Sequence, residues 1–151
     1  MIPIIKMKQS REKQKNEALY RRSRQREKIL ELLRSTDAHP TANWIYSEMR
    51  KEFPDLSMGT VYRNIGILIQ LGHINKIDFG STFDRFDANT APHYHFICEK
   101  CNSIIDLDLP VDDTLNARVP RSAHLEVRRH EIEFFGVCAQ CAGKPGAGDT
   151  P

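Results

Sequence analysis

No stretch of the 151-residue chain approaches the roughly 18 consecutive apolar residues that a membrane-spanning helix needs. The opening MIPIIKMKQS also lacks the basic segment that precedes the apolar core of a secretory leader. These two absences argue against a membrane protein and predict a cytoplasmic one. Aromatic residues are sparse at 8%, with a single Trp. There is no internal repeat, and low complexity is confined to the final GKPGAGDTP, which predicts a disordered tail over 143–151. No cysteine is left over: Cys98/Cys101 and Cys138/Cys141 form two C-x-x-C pairs. In a cytoplasmic protein such pairing points to metal before disulfides.

What is present is ordinary globular composition, 40% apolar and 28% charged. The net charge of +2 is unevenly spread. Residues 1–35 carry eleven Lys/Arg against four Glu, +7, which leaves −5 for the remainder. A basic arm over 1–20 on an acidic body suggests a polyanionic partner at the N-terminal end.

Along RRSRQREKILELLRST, Ile29, Leu30, Leu32 and Leu33 fall on one face of an amphipathic helix. HPTANWIYSEMRKEF supplies a second, with Thr41 as N-cap and Pro54 as its stop. DLSMGTVYRNIGILIQLG supplies a third, from Ser57 as N-cap to Gly72. HINKIDFG and STFDRFD then read as a hairpin around Gly80. Three helices followed by a hairpin is the order of a winged helix, assigned to 21–86, with a polar hinge DANTAP at 87–92. Over 93–142, HYHFICEKC, SIIDLDL and HLEVRRHEIEFFGVC read as strands and VDDTLNARV as a short helix, making the whole an α+β protein.

Two C-x-x-C pairs at strand ends suit a closed tetrahedral zinc site, which adds folding energy rather than catalysis. Four unrelated buried thiols or a redox pair are the other readings, although the βαβ context of a redox pair is missing. Side chains alternate faces along a strand, so His93, His95 and Ile97 share one face of HYHFIC and Tyr94, Phe96 and Cys98 the other. One strand can therefore serve two metal sites. Asp87, Asp106 and His39 are the further donors available to the histidine face, a nitrogen and oxygen set suited to Fe2+ or Mn2+ and adequate for Zn2+ or Ni2+. His73 and His124 read as ordinary polar residues.

RQREKILELL, HPTANWIY, TVYRNI, RFD, HYHFICEKC, IIDL and GVCAQC together resemble the ferric uptake regulator (Fur) family and, within it, the peroxide-responsive PerR-type repressors. The resemblance covers about Arg21 to Cys141. It implies a homodimer with an N-terminal winged helix that binds double-stranded operator DNA, a C-terminal α/β dimerisation domain, and no enzyme activity. It implies structural zinc at Cys98, Cys101, Cys138 and Cys141, and a regulatory Fe2+ or Mn2+ at His39, Asp87, His93, His95 and Asp106. Asp at positions 87 and 106 resembles the peroxide sensors, whereas iron-uptake members carry Glu.

The resemblance further implies that iron-catalysed oxidation of His39 or His93 releases the repressor from DNA. Recognition falls to Ser57, Thr60, Tyr62 and Arg63, with phosphate contacts from Arg22, Arg24 and Arg26. A metal-uptake repressor without peroxide sensing, a metalloenzyme and a zinc-stabilised interaction module are the competing classes. Tyr94 stands where some relatives place an Asp ligand to a third ion, so His130 is expected to pack or hydrogen-bond instead. Gly59 replaces the usual Ala of the recognition helix.

Overall fold

Apolar residues recurring every three or four positions bury one side of each of the first three helices, and this alone accounts for most of the larger core. The computed structural model describes residues 22, 24–78, 80, 83–119 and 124–143. The expected arm over 1–20 and nearly all of the expected tail over 143–151 lie outside them, as does part of the turn around Gly80. The chain divides into two compact units, one up to Thr90 and one from Ala91 onward.

In the first unit, α1 runs through 24–34, α2 spans Ala42–Met49 and α3 spans Met58–Gln70. Ile29, Leu33, Ala42, Ile45, Met49, Val61, Ile65 and Leu68 meet in one core, which Phe53, Leu56, Ile74 and Phe86 close. Thr41 caps α2 by accepting from the Trp44 amide at 3.3 Å. The α2 helix ends at Met49, earlier than the stop expected at Pro54, and the chain turns so that Phe53 still reaches the core. Ser57 caps α3 by accepting from Thr60 N at 3.2 Å. At the far end Gly72 takes a φ of 72°, and His73 N reaches back to Leu68 O at 2.9 Å, a closure that suits glycine because the backbone is left-handed. Strands β1 (Asn75–Ile77) and β2 (Arg85–Asp87) pair antiparallel, with Lys76 opposite Phe86. Three helices and a two-stranded wing make this unit a winged helix.

The second unit holds a three-stranded sheet in the order β4-β3-β5. Its central strand β3 (Tyr94–Cys98) pairs antiparallel with β4 (Ile104–Leu107), placing His95 opposite Asp106, and parallel with β5 (Glu133–Gly136), placing Cys98 opposite Gly136. Two short helices, α4 (Thr114–Arg118) and α5 (Ala139–Gly143), complete it. The long strand expected from His124 to Cys138 is confined to Glu133–Gly136. Among the described residues, the only strand beside this segment is β3, and β3 is itself five residues long, so the ladder ends where its partner does. His124 has a positive φ of 54°, and the charged run after it forms local pairs, Arg128–Glu126 and Arg129–Glu131. No helix among the described residues is long and apolar enough to cross a membrane.

Candidate metal centres and nucleic-acid interface

The four thiols are brought together by one strand end, one turn and one short helix. Cys98 closes β3, and the chain then turns through Asn102, whose φ of 57° is tolerated by asparagine and whose amide donates to Cys98 O at 2.8 Å. Glu99 N donates to Gly136 O at 2.8 Å and ties this turn to the end of β5. The chain then delivers Cys138, and α5 delivers Cys141. All four sulfurs lie within 4.8 Å of one another, with Cys101 Sγ 3.8 Å from Cys138 Sγ. Sulfurs at about 2.3 Å from one tetrahedral Zn2+ stand about 3.8 Å apart, so the donor set fits that ion.

Backbone dipoles have already begun to ionise the cluster. The Cys138 amide donates to Cys98 Sγ at 3.3 Å and, with smaller help from the amides of Cys101 and Lys100, holds the Cys98 thiol down at about 6. The Ser103 hydroxyl, 3.1 Å from Cys101 Sγ, lowers Cys101 as well. Cys141 is pushed up to about 12, because Cys101 and then Cys138 share its proton.

The opposite face of β3 presents imidazoles. His93 Nδ1 donates to Ala91 O at 2.6 Å, which leaves the Nε2 lone pair as the ring's acceptor. That Nε2 lies 3.1 Å from Asp106 Oδ1, and His95 Nε2 lies 3.3 Å from the same oxygen. Two imidazole nitrogens facing one carboxylate oxygen can hold a cation among them. Nitrogen and oxygen ligands at about 2.1 Å from one ion and at right angles to each other stand about 3 Å apart, so these three donors fit a divalent metal. In the first unit, His39 Nε2 lies 3.5 Å from Asp87 Oδ2, and both residues are buried. This second pair has the same chemistry.

Tyr94 points away from the imidazoles. Its hydroxyl accepts from Asp112 N at 2.9 Å and meets His130 Nε2 at 2.8 Å, while His130 Nδ1 faces Asn116 Oδ1 at 2.8 Å. A neutral ring with its proton on Nδ1 satisfies both contacts. His130 is thus hydrogen-bonded, as its replacement partner Tyr94 suggested.

On α3, Ser57 Oγ and Thr60 Oγ1 lie 2.9 Å apart around the cap, and Tyr62 and Arg63 are exposed. Arg22 is exposed and Arg26 half-buried on the first helix. Arg24 is held by Glu52 at 2.7 Å and lies over the Phe53 ring, so a phosphate must compete with that carboxylate for it. Sequence reasoning overlooked two devices. Arg85 donates to His39 O at 3.1 Å, and Asn64 donates to Gln25 Oε1 at 3.3 Å inside the core. The only signal for the second was a polar residue at a core-facing position of α3.

Residues 17–135 match the ferric uptake regulator family. The peroxide-responsive repressor PerR of Staphylococcus epidermidis is 37% identical over 117 residues, 78% of this chain and 78% of that protein. PerR of Staphylococcus aureus is 36% identical over 120 residues, 80% of this chain and 81% of that protein. The crystal structure of a Campylobacter jejuni peroxide stress regulator shares the fold, with a TM-score of 0.67 at 22% identity over 93% of this chain and all of that one. With its family match, its relatives and its winged helix in agreement, the chain belongs to the ferric uptake regulator family.

Proposed function

We propose that the chain is a metal-dependent DNA-binding repressor that senses hydrogen peroxide through oxidation of a ligand histidine. The observation that carries this reading is the convergence of His93 and His95 on one oxygen of Asp106, in a chain whose relatives are named peroxide-responsive repressors. Cys98, Cys101, Cys138 and Cys141 hold a structural Zn2+ that ties the end of β3 to the segment after β5. His39, Asp87, His93, His95 and Asp106 are the ligands of a regulatory Fe2+ or Mn2+. Bound ferrous iron supplies electrons to hydrogen peroxide, which manganese does not do readily.

The protein's own part is to divide the ligands. His39 and Asp87 belong to the winged helix, and the other three belong to the second unit. Filling all five positions favours one mutual orientation, by the difference in affinity between the bound and the open forms. Two copies so fixed present two α3 helices to successive major grooves, with Tyr62 against thymine methyls and Arg63 on a phosphate or guanine. Ser57 and Thr60 lie at the end of α3 that enters the groove, and Arg22, Arg24 and Arg26 bind phosphates. Exposed Ile105 and Phe134, paired on either side of Phe96 and so on one face of the sheet, support self-association of the second unit. An oxidised His39 or His93 is a poorer ligand, so the preferred orientation is lost.

The test uses duplexes selected from a random library with Mn2+-loaded protein. Binding by the Fe2+ form is expected to be lost after hydrogen peroxide, with a one-oxygen adduct on His39 or His93 by mass spectrometry, whereas the Mn2+ form keeps both binding and mass. Iron-loaded protein that keeps DNA and gains no adduct would identify a metal-uptake repressor instead. No metal-dependent duplex binding at all would reject both.

A further inference from the structure

His39 is buried and holds a φ of 49°, a left-handed backbone uncommon for a residue with a side chain. Its position before Pro40 adds a steric restriction of its own. The forces that hold it come from one strand. Phe86 N donates to Pro40 O at 3.1 Å, Thr41 forms an antiparallel bridge with Arg85, and the Arg85 guanidinium donates to His39 O at 3.1 Å. The next residue but one on β2 is Asp87, whose Oδ2 lies 3.5 Å from His39 Nε2. The strand therefore grips the backbone of one candidate ligand while carrying another.

We propose that Arg85 is a positioning residue for the regulatory metal: its charged bond to the His39 carbonyl holds the left-handed turn and aims the imidazole at Asp87. This rests on the assignment of His39 and Asp87 as ligands. The backbone bond from Phe86 engages the Pro40 carbonyl, one residue further on, and not the His39 carbonyl itself. Among the described residues, Arg85 supplies the side-chain donor to that carbonyl. A guanidinium donor is stronger than a neutral one because it bears charge.

The experiment compares Arg85→Gln, Arg85→Lys and Asp87→Asn in the full zinc-loaded chain. Mn2+ affinity is measured by electron paramagnetic resonance, and the His39 backbone by its HN–Hα coupling and 13C shifts in the metal-free state. Zinc content reports on the other unit. Arg85→Gln is expected to weaken Mn2+ by about 10- to 100-fold, the usual effect of losing a partner that orients a ligand. The His39 shifts should move with it, zinc should stay bound, and Arg85→Lys should recover much of the affinity. Wild-type Mn2+ affinity in Arg85→Gln, with affinity lost in Asp87→Asn, overturns the positioning role and leaves the ligand assignment standing. Wild-type affinity in Asp87→Asn overturns the assignment, and the proposal with it. Weakened Mn2+ with unmoved His39 shifts, or with no recovery in Arg85→Lys, also overturns it, because the arginine then serves the fold of the wing rather than the aim of the ring.

Discussion

His93 and His95 stand edge to face, ring centroids 4.4 Å apart and planes inclined at 66°, with both Nε2 atoms turned to Asp106. Alternation along β3 puts the two rings on one face, and the antiparallel register puts Asp106 opposite His95. Replacing Asp106 with Ala removes the one anionic donor of this trio. Mn2+ binding is expected to weaken by more than the roughly 10- to 100-fold typical of indirect ligand partners. Mn2+ at 100 times the parent's dissociation constant stabilises the parent by about 2.7 kcal/mol. In a thermal melt that gain should vanish in Asp106→Ala, with the zinc content unchanged.

The cysteine cluster makes a prediction about chemistry rather than affinity. Thiolates, not thiols, react with alkylating agents, and access limits the rate. In zinc-stripped, reduced protein at neutral pH, Cys101 is exposed and shifted down by Ser103, so it should be carboxymethylated first. Cys98, though held at about 6 by the Cys138 amide, is buried and should lag. Cys141, raised to about 12, should be slowest per exposed area. Because the depressed Cys98 group favours the folded form only above its folded value, that contribution is lost as pH falls toward about 6, and zinc release by a chelator should accelerate over the same window. Peptide mapping gives the order, and an order led by Cys141 would contradict the geometry.

The contrast between these two sites and the rest of the molecule shows what a sequence makes visible. Thr41 and Ser57 were legible as caps, and β3 as a two-faced strand, because each depends on neighbours within four residues. Each C-x-x-C pair was legible for the same reason, whereas the meeting of the two pairs, with Cys101 and Cys138 separated by 37 positions, depends on the sheet. The short extent of β5 was not legible, since a strand's length is set by its partner, and that partner lies 38 positions upstream in the register of His95 with Glu133. Arg85 and His39 are 46 positions apart and meet only once the wing folds back on the turn before α2. The five-residue α5 helix that delivers Cys141 is too short for its apolar spacing to announce it.

Gln25 and Asn64, 6% and 3% exposed, share a hydrogen bond of 3.3 Å between the first helix and α3. Cutting Asn64 to Ala strands the Gln25 amide in an apolar core, at about 1–3 kcal/mol, whereas replacing both residues with Leu removes the polar groups together and should cost much less. Urea unfolding of the single and double variants measures the difference. Additive costs would show that the two amides do not depend on each other.

Tyr94 is 3% exposed, and its hydroxyl links the Asp112 amide to His130. Tyr94→Phe keeps the ring and deletes that link, so it should cost about 1–3 kcal/mol through the donor and acceptor left behind. His130→Asn breaks the same chain at its next member. If the chain acts as one brace, the two losses should fall short of additive, as judged by the cycle of single and double variants.

Gly59 and Gly66 both lie inside α3, where glycine costs conformational entropy without contributing a side chain. A Cβ at Gly59 would meet only Ser57 Oγ at 3.9 Å, and one at Gly66 would meet nothing within 4 Å. Neither has the positive φ that would penalise alanine. Gly66→Ala should therefore stabilise the chain by about 0.5–1 kcal/mol, and Gly59→Ala, in the first turn, by somewhat less. Duplex binding by the Mn2+ form then separates the two positions. Gly66 is remote from the capped end of α3 and should leave binding unchanged. Gly59 lies two residues from Ser57 and one from Thr60, so a methyl there sits at the end of the helix assigned to the groove. If Gly59→Ala gains stability while losing DNA affinity, the absent side chain serves close approach of the backbone to DNA; if affinity holds, its entropic cost is not offset by any contact on this surface.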